Sequence, residues 1–194
     1  METFLTYFFI AIIIFIVYVY YEGKYSDVGY FKSTVDGKDY IVRNLPDKQE
    51  AANMIAEICI RIKKLIDHLE NNFQNDEITR RISKRFKPSN VSEGAYDIKY
   101  TSYSINKGEK IVLCLRSRGK IEALEPLNIL MFVVLHEVAH IGTESIGHTT
   151  EFWNTFKFIL KESIGIGIYT HYDFENDPKS YCGTTITDTP YTPP

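Results

Sequence analysis

Cysteine is scarce in this sequence: Cys59, Cys114 and Cys182 are the only three in 194 residues, and no two stand at C-x-x-C spacing. The pattern offers neither a thiolate zinc knuckle nor a disulfide framework, so reduced thiols are expected. Cys59 falls on the apolar face of a helical pattern and Cys114 inside a strand pattern, where free cysteines pack as small hydrophobes. Cys182, in Tyr-Cys-Gly, is the one expected near the surface. An imbalance of charge is lacking too. With 22 basic and 25 acidic side chains the formal net charge is −3, which does not by itself argue for a polyanionic partner.

Charge is absent altogether from Thr3 to Tyr21, a run rich in Ile, Phe, Val and Tyr. Nineteen residues at about 1.5 Å each make a helix of roughly 28 Å, enough to span the hydrocarbon core of a bilayer. A basic leader and a small-residue cleavage site are missing, which favours an uncleaved anchor over a signal peptide. Tyr18, Tyr20 and Tyr21 suit an interfacial belt, and Lys24, Lys32 and Lys38 beyond them place the following domain in the cytosol by the positive-inside bias. Unpatterned cysteines agree with a reducing compartment, whereas the sequon Asn90-Val91-Ser92 points weakly the other way. The expected organisation is a transmembrane anchor over 1–23, a juxtamembrane linker over 24–37, one catalytic domain over 38–182 and a flexible Thr/Pro-rich tail over 183–194. The protein is then a single-pass membrane protein with its folded domain in the cytosol.

Within the soluble part, alternation over Asp39–Arg43 predicts a short strand. Apolar residues from Ala51 to Leu69 recur at helical spacing behind a capping-box pattern, Asp47 and Glu50. Five of the eight residues from Arg80 to Lys87 are basic. A solvated loop or helix end is the first expectation for such a run, with lipid headgroups or nucleic-acid phosphates as functional alternatives. Runs over 98–104 and 110–116 flank Asn106-Lys107-Gly108-Glu109 and predict a hairpin. Its second strand is expected to be an edge that pairs with an extended peptide.

The chemistry lies further on. Pro126 opens an apolar helical segment that Gly142 is expected to stop, and within it stand His136, Glu137 and His140. Buried without partners, such groups would cost several kcal/mol each, about the price of an unpaired polar group; a metal ion supplies the partner. Histidines at i and i+4 leave one helical face on successive turns, so both imidazoles reach a single ion. Glu137 lies beside that face, placed to act as general base on a zinc-bound water. A catalytic zinc takes three protein ligands. His148, returned by a loop with two glycines, is the leading third ligand, and Glu151 and His171 are the alternatives. Thr149 or Thr150 caps the next helix, whose packed face includes Phe152, Trp153 and Phe156. Tyr169 or Tyr172 is the candidate to stabilise the oxyanion.

In His136-Glu137-Val138-Ala139-His140, followed by Gly147-His148-Thr149 and Phe152-Trp153, the chain resembles the WLM and SprT-like zinc metallopeptidases, especially small membrane-anchored WLM-type proteins of large DNA viruses. The similarity runs from about Asp36 to Cys182 and takes in Val42–Pro46 and Tyr100–Ser104. It implies Zn2+ at His136, His140 and His148, with Glu137 as catalytic base. The fold class expected is therefore α+β: a zincin-like minimal metallopeptidase domain with a small antiparallel sheet and an HExxH helix, preceded by one transmembrane helix. Its partners would be a protein or peptide substrate and the membrane, with nucleic acid an alternative that only the basic run offers. A zinc-stabilised membrane scaffold or virion assembly component without turnover is the alternative, which Glu137→Gln separates from the enzyme.

Overall fold

A computed structural model describes residues 2–24, 27–96, 101–119 and 121–193. Helix α1 (Glu2–Lys24) carries the uncharged run, and its Thr3–Tyr21 stretch is long and apolar enough to cross a membrane with none of it buried in the protein. Next comes an antiparallel hairpin of β1 (Val28–Lys32) and β2 (Asp39–Arg43). The segment expected to be a linker thus contains a strand. Its alternation is masked by a glycine and two aromatics, and its pairing with β2 arises only from tertiary structure.

Helix α2 (Lys48–Asn72) buries ten residues, Ala51 to Leu69, along the face that the periodicity marks. At its start Asp47 makes no side-chain cap. Its carboxylate is drawn to Arg116 Nη1 at 2.5 Å instead, so the expected capping box is replaced by an ion pair. Buried Arg116 also binds Glu93 Oε1 at 2.8 Å, and Glu93 Oε2 accepts the backbone N–H of Arg43 at 2.7 Å. Charges this deeply buried persist only when paired and hydrogen-bonded. The network fastens α2, β2 and the central sheet together.

The short helix α3 (Glu77–Arg85) follows, with Asp76 accepting from Ile78 N as its cap. After it come a 3-10 turn at Pro88–Asn90 and β3 (Val91–Glu93). The expected hairpin forms as β4 (Tyr103–Ile105) and β5 (Lys110–Leu113), both shorter than their apolar runs; residues 97–100 lie outside the described set. The sheet order is β3-β5-β4, with β3 parallel and β4 antiparallel to β5. Two expectations change here. The sheet is mixed rather than antiparallel, and the second hairpin strand is central, because β3 occupies its other side. Among the described residues the edge strands of this sheet are β3 and β4, and β4 is the one that borders the histidine-bearing helix.

Helix α4 (Leu127–Gly142) runs through the core with eleven buried residues. Gly142 is part of this helix, and Thr143 caps it. A Cβ on Gly142 would come within 3.0 Å of Ile78 Cγ2 and 3.2 Å of Ile82, so the glycine lets α3 press against α4. Helix α5 (Thr150–Gly165) packs on α4 through Phe152, Phe156, Ile159 and Leu160, and Thr149 Oγ1 caps it by accepting from Phe152 N.

The last elements are β6 (Lys179–Tyr181) and β7 (Thr184–Ile186), an antiparallel pair. Tyr191 also packs against the core, so the stretch expected to be a flexible tail is partly structured. Cys114 and Cys182 form a disulfide, leaving Cys59 free and buried. This corrects the expectation of three reduced thiols, and of an exposed Cys182, which is 1% exposed. Sixty-eight residues separate the pair, so no local spacing could announce it.

Candidate metal centre

The sides of α4 that carry His136 and His140 face α5 and the loop between the two helices. His136 Nε2 lies 3.2 Å from His140 Nε2 and 3.0 Å from His148 Nε2, and the three ligand atoms all lie within 4.8 Å of one another. A ring nitrogen carries either one proton or one lone pair, so His136 Nε2 cannot bond well to both neighbours. A tetrahedral ion with bonds of about 2.0–2.1 Å holds its ligand nitrogens about 3.3–3.4 Å apart, close to the two spacings from His136. The donor set therefore fits zinc. Burial, then the neighbouring imidazoles, lowers the pKa of His136 to about 3, and burial likewise lowers that of His140 to about 4. Both rings are neutral at pH 7, the form that coordinates metals.

Phe152 forms the floor of the cluster. Fully buried, it stacks on His140 with centroids 4.2 Å apart and lies 4.8 Å from the centroids of both His136 and His148. Trp153, expected in the core beside it, is 43% exposed and stands 5.6 Å from the His148 ring.

His148 comes from the Thr143–Thr149 loop, and Gly147 (φ +83°) supplies the left-handed turn just before it. The loop is clamped from several sides. Glu151 accepts from the backbone N–H groups of Glu144 at 2.9 Å and Ser145 at 3.1 Å, which hold its carboxyl down at about pKa 2. Arg81 donates to Glu144 at 2.9 Å and to the Gly142 carbonyl at 3.3 Å, and Arg85 donates to the Ile141 carbonyl at 3.0 Å. Two members of the basic run are thus C-terminal partners of α4, where carbonyls lack helical donors and the dipole is negative. Neither a solvated face nor an anion patch describes them.

Of the alternatives for third ligand, Glu151 is committed to the loop backbone, and His171 packs near Tyr191, 6.5 Å between centroids. Neither joins the histidine cluster. Glu137, 5% exposed, accepts from the backbone N–H and hydroxyl of Ser104 on β4. Burial outweighs those bonds and pushes its carboxyl up to about 7. The cleft between β4 and the metal loop has a volume of about 530 Å³, with Ser104, Lys107, Glu137 and the three histidines on its walls. Tyr169 and Tyr172 are not on those walls. Tyr169 is buried among Phe132 and its neighbours, and the Tyr172 hydroxyl donates to Asp177, so neither is placed to stabilise an oxyanion. Sequence reasoning missed Ser104, Lys107, Arg81 and Arg85 as parts of the site; the Asn106-Lys107-Gly108-Glu109 turn located Lys107 but not what it faces.

This assembly, a helix-borne histidine pair with a third histidine from the next loop, belongs to a known class. A WLM domain model matches residues 38–192, and the chain belongs to the WLM family, a family of zinc-dependent metallopeptidases. It is 40% identical over 181 residues to protein R325 of Acanthamoeba polyphaga mimivirus, covering 91% of each chain. Protein 136R of Invertebrate iridescent virus 6 is 37% identical over 84 residues, 42% of this chain and 44% of that one. The chain is a WLM-type protein of the kind found in large DNA viruses. Among solved structures, Wss1 from Saccharomyces cerevisiae superposes with a TM-score of 0.51 at 25% identity, covering 66% of this chain and 88% of that one.

Proposed function

We propose that the chain is a membrane-anchored zinc metallopeptidase that hydrolyses peptide bonds, with His136, His140 and His148 as metal ligands and Glu137 as general base. The observation that carries this reading is the convergence of three histidine ring nitrogens within 4.8 Å, beside a buried carboxylate, in a cleft edged by a strand. Zinc held there would lower the pKa of a water molecule and polarise the scissile carbonyl. Ser104 fixes the Glu137 carboxylate through two hydrogen bonds. Glu137 takes a proton from the attacking water and returns it to the nitrogen of the leaving amine. The substrate chain lies extended beside β4, the edge strand that lines the cleft, rather than beside central β5.

Helix α1 anchors the enzyme in a bilayer as a single span. The Cys114–Cys182 disulfide argues for a domain on the oxidising side of that membrane, because such bonds are rare where glutathione keeps thiols reduced. This reverses the cytosolic placement drawn from three lysines.

The deciding experiment is Glu137→Gln in the full chain, purified in detergent and loaded with zinc. Hydrolysis of an unfolded protein such as casein should fall by at least about a hundredfold, the low end for losing a general base, with zinc content unchanged. Undiminished cleavage by the variant would remove Glu137 from the role, and no cleavage by the parent would favour a zinc-stabilised scaffold.

A further inference from the structure

The turn joining β4 to β5 is strained in an informative way. Asn106 (φ 47°) and Lys107 (φ 56°) both occupy the left-handed region, which ordinary side chains avoid. For lysine that conformation is costly, and such cost is found where placement of the side chain matters. Here it carries Lys107 onto the wall of the cleft, half-buried, with Nζ donating to the Ser145 carbonyl at 2.6 Å. One bond thus bridges the hairpin turn and the metal loop.

Among the described residues lining the cleft, Lys107 is the only lysine or arginine and Glu137 the only carboxylate. The nearby acidic groups are already engaged. Glu144 is paired with Arg81, and Glu151 with two backbone N–H groups. Burial, and Arg85 and Arg81 nearby, disfavour the ammonium more than Glu151 and Glu144 favour it, so an anion arriving there would relieve the remaining cost. An ammonium has three donors, and the Ser145 carbonyl takes one.

From this placement we infer that Lys107 is a specificity-determining residue that binds a carboxylate of the substrate at the hairpin-turn end of the cleft. The substrate class is then peptides with an Asp or Glu side chain near the scissile bond, or peptides whose own C-terminus lies there. The inference rests on the peptidase reading for its substrate but is tested by binding alone.

The experiment uses the full chain in detergent, zinc-loaded and carrying Glu137→Gln so that bound peptides survive. Immobilised protein is offered two random-sequence peptide pools, one with amidated and one with free C-termini, and retained peptides are sequenced by mass spectrometry. Enrichment of Asp and Glu from the amidated pool identifies a side-chain carboxylate. Enrichment of free-acid peptides irrespective of sequence identifies the terminal one. In either case the preference should fall about tenfold or more with Lys107→Gln, the scale of one charge-assisted hydrogen bond. Lys107→Gln keeps a donor for Ser145, and a melting temperature matching the parent confirms that the loop is intact. No carboxylate preference, a preference that survives Lys107→Gln, or no retained peptide from either pool overturns the inference. Failure of the parent to cleave overturns the peptidase reading instead.

Discussion

Removing the Cys114–Cys182 bridge should cost the domain about 4 kcal/mol. The bond closes a loop with a sequence separation of 68, and the loop-entropy relation applied to about 69 residues gives roughly 4.4 kcal/mol at 25 °C. That is a large part of the roughly 5–15 kcal/mol by which domains are stable. The bridge also sits in a hydrogen-bonded seam. Cys114 N donates to Ser102 Oγ at 3.0 Å, and the Tyr181 hydroxyl donates to the Cys114 carbonyl at 2.8 Å. Ser102 lies two residues before Ser104, which holds Glu137, so loss of the bridge should loosen the catalytic edge as well as the fold. The variant to make is Cys114→Ser with Cys182→Ser, which leaves no orphan thiol. Trp153, the one tryptophan, stands beside the metal cluster and outside α1, so guanidinium unfolding followed by its fluorescence reports the domain alone. A companion thiol titration, in denaturant without reductant, should find one thiol per chain, that of Cys59, and three after reduction. Three thiols before reduction, or a stability loss under about 1 kcal/mol against the loop-entropy figure, would refute this reasoning and the oxidising-side placement with it.

Other consequences follow from the site. Phe152→Ala should destabilise the domain by about 3–5 kcal/mol, the usual cost of deleting a buried phenylalanine, and should weaken zinc binding; competition with a fluorescent chelator reads the second effect. Arg81→Ala removes bonds to Glu144 and Gly142 at the end of α4. It should cost about 1–2 kcal/mol, as partly exposed charged bonds do, and speed zinc release in stopped-flow chelation, whereas Arg80→Ala at an exposed position should do neither.

The parts legible in the sequence were those whose signal is local. Helices α2, α4 and α5 follow from apolar spacing, and His136, Glu137 and His140 from their offsets on α4. His148 followed from two glycines and a helix cap, and the structure brings it to the other histidines. What escaped depends on contacts distant in the chain. Strand β3 joins β5 in parallel, which no short-range pattern encodes, and its arrival turned an expected edge into a central strand. Arg81 and Arg85 looked like a charge run because their partners, the last carbonyls of α4 and Glu144, lie 56 to 63 residues away. Asp47 carried a capping signature and was captured by Arg116, since a buried guanidinium outcompetes an exposed backbone N–H for a carboxylate.

That three histidines hold one zinc ion is tested most directly by elemental analysis of the purified full chain. Parent and His148→Ala are compared after equilibration with limiting zinc and removal of excess. About one zinc per parent chain, lost or greatly reduced in a folded His148→Ala, is the outcome this account predicts. A folded parent that binds no zinc, or a variant that retains it fully, would contradict it.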